Sequence, residues 1–128
     1  MANRFIRVLH VDDLEEEFIL ARELLSTVQG IEFQFQWVSD IQTAFQVIHK
    51  GKFDVCLVDY YLGPDRGLDF VRAAISNGIT IPFILMSGQK DRSVEHEAFN
   101  IGVRQCIDKN DITTSILLKA IQDALKNS

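Results

Sequence analysis

The sequence of 128 residues has few cysteines and no long hydrophobic run. Its only two cysteines, Cys56 and Cys106, lie within apolar segments, which predicts buried, reduced thiols and a cytoplasmic protein. No apolar run approaches the ~20 residues of a membrane span, and the N-terminus lacks the apolar stretch of a secretory signal. We therefore expect no membrane partner.

Positive charge and phosphate-binding glycine motifs are also scarce. Lysine and arginine number 13 against 18 aspartates and glutamates, so the net charge is −5. This balance argues against direct binding to nucleic acid, which needs a basic surface. No GxGxxG occurs, and Gln46 stands where a GxxxxGK phosphate loop ending at Gly51-Lys52 would need its first glycine.

What the chain does contain is typical of one globular domain over residues 1–128, because hydrophobic residues make up 47% and charged residues 24%. Apolar runs predict five strands, of which the last is the weakest: Phe5–Val11, Phe33–Val38, Phe53–Val58, Pro82–Met86 and Arg104–Ile107. The second run alternates aromatic residues with glutamines, which predicts an edge strand with one wet face. The first, third and fourth are nearly continuous, as in strands covered on both faces.

Apolar residues at helical spacing separate these strands, and a glycine follows each of the first four stripes. Asp40 and Asp111 are the expected N-caps of the second and fifth helices. Alternating strands and helices predict an α/β fold with a doubly wound parallel sheet, in which ligands bind at the carboxyl ends of the strands.

Polar side chains stand at four of these ends. They are Asp12 and Asp13 after the first strand, Asp59 after the third, Ser87-Gly88 after the fourth and Lys109 after the fifth. With the strand order 2-1-3-4-5, all of them converge on one rim. Three neighbouring carboxylates repel one another, and a hard divalent cation such as Mg²⁺ or Mn²⁺ removes the conflict.

Such a set suits phosphoryl transfer to a carboxylate. Asp59 is the best candidate nucleophile because it ends a central apolar strand. Asp12 and Asp13 would form the metal side of the site, while Ser87 and Lys109 would hold the phosphoryl oxygens.

Four segments carry a resemblance to a known family over essentially the whole chain: VLHVDD, VDYYLGPDRGLDF, FILMSG and the lysine of CIDKND. The sequence resembles a response-regulator receiver domain of two-component signalling, which has a flavodoxin-like (βα)5 fold. The resemblance implies a signalling module, not an enzyme, that accepts a phosphoryl group from a histidine kinase or a histidine phosphotransfer protein. That phosphorylation would switch partner binding or relay phosphate. We expect a stand-alone receiver, because the last predicted helix runs almost to the end of the sequence; a natural single-domain regulator and a segment of a longer protein both remain open as interpretations.

The resemblance also assigns roles to individual residues. It implies phosphorylation of Asp59 and phosphoryl binding by Ser87, Gly88 and Lys109. The implied metal ligands are Asp12, Asp13, Asp59 and the backbone carbonyl of Tyr61.

The sequence departs from the family pattern at positions that would modulate the switch. Cys106 stands where receivers usually have the Tyr or Phe that responds to phosphorylation, so the usual aromatic coupling is in doubt. The lysine is followed by Asn110, whereas receivers often have proline at that position. Tyr61 and Gln89 occupy the variable positions that flank the approach of water, and the bulk of Tyr61 predicts slow hydrolysis of the acyl phosphate.

Two alternatives remain open at this level. A pseudo-receiver would bind partners without phosphorylation, and Cys106 in place of the usual aromatic residue is the observation that favours it. A flavodoxin-like nucleotide-binding protein or a phosphatase would use the same fold. However, Asp12 and Asp13 would repel an anionic ligand, and a phosphatase of the haloacid-dehalogenase type would favour an aspartate at the position of Tyr61.

Overall fold

The computed structural model describes residues 4–88 and 91–126, and within them five parallel strands form the main sheet. The strands are β1 (Arg4–Val11), β2 (Ile31–Val38), β3 (Val55–Asp59), β4 (Phe83–Ser87) and β5 (Gln105–Asp108). The helices are α1 (Glu15–Ser26), α2 (Ile41–Lys50), α3 (Gly67–Ser76), α4 (Arg92–Ile101) and α5 (Thr114–Lys126). The spatial order is β2-β1-β3-β4-β5, which confirms the predicted doubly wound, flavodoxin-like fold with order 2-1-3-4-5.

The sheet is covered on both faces because its central strands are apolar throughout. Every residue of β3 is buried. On one face, Ala44 of α2, Val71 of α3 and Ala98 of α4 belong to one hydrophobic cluster. On the other face, Leu25 of α1 and Leu117 of α5 belong to a second cluster. Strand residues that point to the α1 and α5 face therefore alternate with residues that point to the opposite face.

The edge position of β2 is confirmed, since β1 is its only neighbour in the described sheet. Its exposed residues alternate with half-buried ones, as the glutamine–aromatic alternation predicts. The predicted strand ends are approximately right. β2 begins at Ile31, two residues before the apolar alternation, because pairing with the neighbouring backbone of β1 extends beyond the aromatic residues.

The structure confirms one of the two predicted N-caps and contradicts the other. Asp40 accepts a hydrogen bond from the backbone N–H of Thr43 at 2.7 Å and caps α2. The prediction for Asp111 is wrong, because that residue lies in a short 3₁₀ turn between β5 and α5. Thr113 takes over the role, and its hydroxyl accepts from the backbone N–H of Ile116 at 3.1 Å.

A short antiparallel hairpin, Tyr61–Leu62 paired with Asp65–Arg66, follows β3. Its glycine and proline indicate a turn, but the sequence does not predict the hairpin, because strands of two residues show no hydrophobic periodicity. Its turn contains Gly63 at φ 63°, a left-handed conformation that favours glycine. α3 then begins at Gly67, where any Cβ would overlap with the backbone carbonyl of Asp59. Glycine therefore allows α3 to pack directly against the end of β3.

Neither cysteine forms a disulfide: Cys56 is buried and Cys106 is half-buried. The prediction of reduced thiols agrees with this, although Cys106 is less enclosed than expected. None of the helices described here is long and apolar enough to cross a membrane.

Candidate functional site

The register of the sheet brings the polar strand ends together. Val11 pairs with Val58, so Asp12 and Asp59 follow side by side at the ends of β1 and β3. Ser87 pairs with Asp108 at the ends of β4 and β5, and Lys109 comes next. The predicted convergence at the carboxyl end of the sheet is therefore observed.

Three carboxylates form the centre of the site. One oxygen from each of Asp12, Asp13 and Asp59 lies within 4.8 Å of the others. Asp12 is fully buried and Asp59 is 6% exposed, whereas Asp13 is open to solvent. Asp13 is held by the hairpin, because its Oδ2 accepts the backbone N–H of Gly63 at 3.0 Å.

Lys109 bridges the two buried carboxylates. Its Nζ lies 3.1 Å from Oδ2 of Asp12 and 3.1 Å from Oδ1 of Asp59. Burial lowers the pKa of Lys109, but the attraction of these two carboxylates outweighs it, so the pKa is raised overall. The ammonium group therefore stays charged and compensates part of the negative charge.

A fourth carboxylate approaches from α1. Oε1 of Glu17 lies 3.9 Å from Nζ of Lys109. The sequence pattern does not indicate this position for Glu17, because glutamates in a first helical turn are explained by the helix dipole alone. Only the tertiary packing, in which α1 lies against α5, brings it near the lysine.

The two buried aspartates respond in opposite ways to their surroundings. Burial, followed by the charge of Asp12, raises the pKa of Asp59 from 3.8 to about 6, although Lys109 counteracts both. Burial also raises the pKa of Asp12, but the nearby imidazole of His10, the backbone N–H of Leu14 and the ammonium of Lys109 together bring it below its ordinary value. Negative charge is therefore held firmly on Asp12 and at some cost on Asp59.

The backbone carbonyl of Asp12 is fixed by an aromatic residue of the edge strand β2. The indole of Trp37 donates from Nε1 to the carbonyl of Asp12 at 2.7 Å, and its ring stacks on Phe18. His10 is fully buried beside them, with Nε2 3.6 Å from Oδ2 of Asp12. No sequence signal distinguishes these polar contacts from edge-strand or core packing.

The remaining predicted residues lie around this centre. Tyr61 follows Asp59 by two residues in the hairpin, and its side chain is 59% exposed and packs edge-on against Tyr60. The carbonyl of Gly88 accepts a hydrogen bond from the side chain of Asn110 at 2.7 Å, which links the loops after β4 and β5. Gln89 lies outside the described residues.

A cavity of about 280 Å³ adjoins the site between β4, β5 and α4. Ser87 and Cys106 line it together with Val94 and Glu95 of α4. Burial, with a smaller effect of Glu95, raises the pKa of the Cys106 thiol to about 12, so the side chain is a neutral thiol near pH 7. Cys106 therefore forms one wall of an open space.

The donor set of the acidic cluster fits a hard divalent cation. All the side-chain donors are carboxylate oxygens, two of them in buried surroundings. Magnesium prefers such oxygen ligands and usually keeps several waters, which the exposed side of Asp13 allows. Zinc would favour nitrogen or sulfur ligands, so it fits less well.

Comparison with known proteins finds the same fold in several solved structures. The chain has the fold of a CheY-like receiver domain from Methanospirillum hungatei (19% identity, TM-score 0.83), covering 96% of this chain and 95% of that one. It is similar to the signal receiver domain of the putative response regulator NarL from Mycobacterium tuberculosis (22% identity, TM-score 0.82, 98% and 99% covered). The response regulator domain of CheB from Thermotoga maritima also matches (20% identity, TM-score 0.82, 96% and 98% covered).

The search among curated proteins finds no match. The family model described as the response regulator receiver domain matches residues 8–122, which is most of the chain. This protein is therefore a member of the response regulator receiver domain family.

Proposed function

We propose that Asp59 is the phosphoacceptor of this receiver. The observation that carries the proposal is the pairing of Asp59 with Lys109 at 3.1 Å inside the cluster formed with Asp12 and Asp13. A pKa of about 6 leaves most of the Asp59 carboxyl ionised near pH 7. Its negative charge is costly in these surroundings, and the acyl phosphate carries still more negative charge, so the transfer depends on compensation by Lys109 and a divalent cation.

The proposed step is an in-line transfer. A carboxylate oxygen of Asp59 attacks phosphorus while the bond from phosphorus to the donor's imidazole nitrogen breaks. The bonding electron pair remains on that nitrogen, and the product is an acyl phosphate plus a histidine side chain. Lys109 attracts the phosphoryl oxygens, and Ser87 and the backbone at Gly88 are the proposed further contacts.

Asp12, Asp13, Asp59 and the backbone carbonyl of Tyr61 are the residues proposed to hold Mg²⁺, or Mn²⁺ in its place. The cation would neutralise charge that develops on the phosphoryl oxygens. The hydrogen bond between Asp13 and Gly63 supports this assignment, because it ties a proposed ligand to the hairpin that contains Tyr61.

Receiver domains interact with histidine kinases or phosphotransfer proteins and with downstream effectors. We propose that such a phosphohistidine protein donates the phosphoryl group and that phosphorylation changes binding to a downstream protein target. We also propose that the receiver domain extends over residues 1–128 and is cytoplasmic. Its role is regulated binding or phosphate relay, not turnover of a substrate. The two unpaired cysteines support the cytoplasmic assignment.

The test is phosphorylation by acetyl phosphate, followed by intact-mass measurement. The wild-type protein should gain one phosphoryl group in the presence of Mg²⁺ and none with EDTA. Asp59→Asn should gain none, whereas Asp65→Asn, which changes an exposed carboxylate of the nearby hairpin, should behave as wild type.

Two results would contradict the proposal. One is an unmodified wild-type protein, which would favour the pseudo-receiver. The other is equal phosphorylation of Asp59→Asn, which would place the phosphoryl group elsewhere. A phosphotransfer profile against candidate kinases, with the same three proteins, then identifies the donor.

A further inference from the structure

His10 is a buried histidine whose presence packing alone does not explain. It is 0% exposed, and neither ring nitrogen has a hydrogen-bond partner among the described residues. Leaving a buried polar group unpaired costs about 1–3 kcal/mol. A leucine would avoid that penalty among neighbours such as Val8 and Phe35. The imidazole therefore needs another reason to be at this position.

The alternation of β1 directs His10 toward the acidic cluster. Residues 8, 10 and 12 point to the same face of the sheet, so the ring of His10 lies directly behind the carboxylate of Asp12. Nε2 of His10 is 3.6 Å from Oδ2 of Asp12. A shift of a few tenths of an ångström brings the pair within hydrogen-bond distance.

The other contacts of Asp12 leave a distinct role for this imidazole. Its Oδ1 accepts the backbone N–H of Leu14 at 3.0 Å, and its Oδ2 accepts from Lys109 at 3.1 Å. Lys109 is shared with Asp59, and its ammonium would turn toward a bound phosphoryl group under the proposed function. His10 approaches Oδ2 from inside the domain and is held between aromatic rings, so it stays in place when the lysine moves.

We propose that His10 is a positioning residue: its Nε2–H donates to Oδ2 of Asp12 and fixes the carboxylate in the orientation that binds the divalent cation. Donors behind metal-binding side chains act in this way in many sites, and their loss typically weakens metal affinity about 10–100-fold. The ring is held by Phe18 and Phe35, whose centroids lie 6.1 and 6.4 Å from its own. The inference rests on the proposed function, since it needs a cation at Asp12.

The test compares two substitutions of His10 in the full chain. His10→Gln keeps a donor nitrogen at the same number of bonds from Cα as Nε2, whereas His10→Leu keeps volume and loses the donor. The dissociation constant for Mg²⁺ is measured by the fluorescence of Trp37, the single tryptophan, whose indole binds the Asp12 carbonyl. The rate of phosphorylation by acetyl phosphate is measured at saturating Mg²⁺.

We expect His10→Leu to bind Mg²⁺ about tenfold more weakly, at the lower end of that range, without losing stability toward urea. Its phosphorylation rate at saturating Mg²⁺ should stay close to wild type, because orientation affects the binding of the cation more than the transfer step. His10→Gln should bind Mg²⁺ nearly as well as wild type. Rescue by glutamine together with unchanged stability separates positioning from packing.

Leu25→Ala is the matched packing control. It removes buried volume from the hydrophobic cluster on the same face of the sheet and leaves the rings around His10 in place, so it should lower stability and leave Mg²⁺ affinity unchanged. The inference is overturned if His10→Leu binds Mg²⁺ as wild type does, if His10→Gln fails to rescue, or if Leu25→Ala weakens binding equally. A wild-type protein that binds Mg²⁺ but takes up no phosphoryl group contradicts only the proposed function, whereas one that binds no Mg²⁺ contradicts both.

Discussion

Replacement of Asp59 by asparagine should stabilise the protein at neutral pH. The carboxylate is 6% exposed, and its charge is disfavoured by burial and by Asp12. Asparagine removes the charge while its side-chain oxygen can still accept from the ammonium of Lys109. The variant would then lose the repulsion between residue 59 and Asp12 and keep the contact with Lys109.

The magnitude follows from proton linkage. The pKa of Asp59 rises from 3.8 to about 6 on folding, so between these values the native state holds a proton that the unfolded state has released. Stability therefore falls as the pH rises through this window, and the full cost is present above pH 6. At about 1.4 kcal/mol for each pKa unit, the cost near pH 7 is about 3 kcal/mol.

The assay is urea unfolding followed by the fluorescence of Trp37, in EDTA. We expect the free energy of unfolding of Asp59→Asn to exceed that of wild type by up to about 3 kcal/mol near pH 7. This difference should shrink toward pH 4. The exposed Asp65→Asn should change stability little at either pH. Mg²⁺ should narrow the gap by stabilising the wild type more than the variant.

Two outcomes would refute this reasoning. Equal or lower stability of Asp59→Asn near pH 7 would mean that the bond between Asp59 and Lys109 outweighs burial and repulsion. A stability difference between Asp59→Asn and wild type that grows as the pH falls would have the opposite pH dependence. It would show that folding lowers the pKa of Asp59 and stabilises its carboxylate.

Three further predictions follow from single contacts. Gly67→Ala should lower stability by about 2 kcal/mol or more in urea unfolding, because its Cβ overlaps with the carbonyl of Asp59; Gly88→Ala, whose Cβ meets open space, should match wild type. Tyr61→Ala should shorten the lifetime of the phosphorylated protein, measured by intact mass, if the tyrosine shields the acyl phosphate; an unchanged lifetime of seconds would contradict this. Cys106 should react slowly with a thiol reagent near pH 7 and faster at each higher pH, because its pKa is about 12; rapid, pH-independent labelling would count against the raised pKa.

The strand ends show why so much of the site could be predicted. Asp12, Asp59 and Lys109 each follow a short apolar run, and parallel strands present their carboxyl ends at one edge. The strand order 2-1-3-4-5 is a condition of this convergence that agrees with the recognisable edge strand, and the resemblance to receiver domains implies the fold with that order. Local chemistry and topology point to the same place, so the prediction of three converging carboxylates and a lysine is confirmed.

The errors and omissions have a common origin in contacts between distant segments. Aspartate is a preferred N-cap residue, but Asp111 lies in the 3₁₀ turn after β5, and α5 begins only at Thr114. Glu17 looks like an ordinary residue of a first helical turn until α1 packs beside Lys109. In both cases the local sequence allows more than one arrangement, and packing selects among them.

By itself, the sequence determined the fold class and the polar residues that end the strands, because hydrophobic periodicity and the alternation of strands with helices are encoded locally. Only the tertiary structure decided how those residues act on one another. The buried imidazole behind Asp12, the lysine shared by two carboxylates and the opposite pKa shifts of those carboxylates depend on distances of a few ångströms between distant segments. Electrostatic interactions at such distances change steeply with separation and burial, and the linear sequence specifies neither.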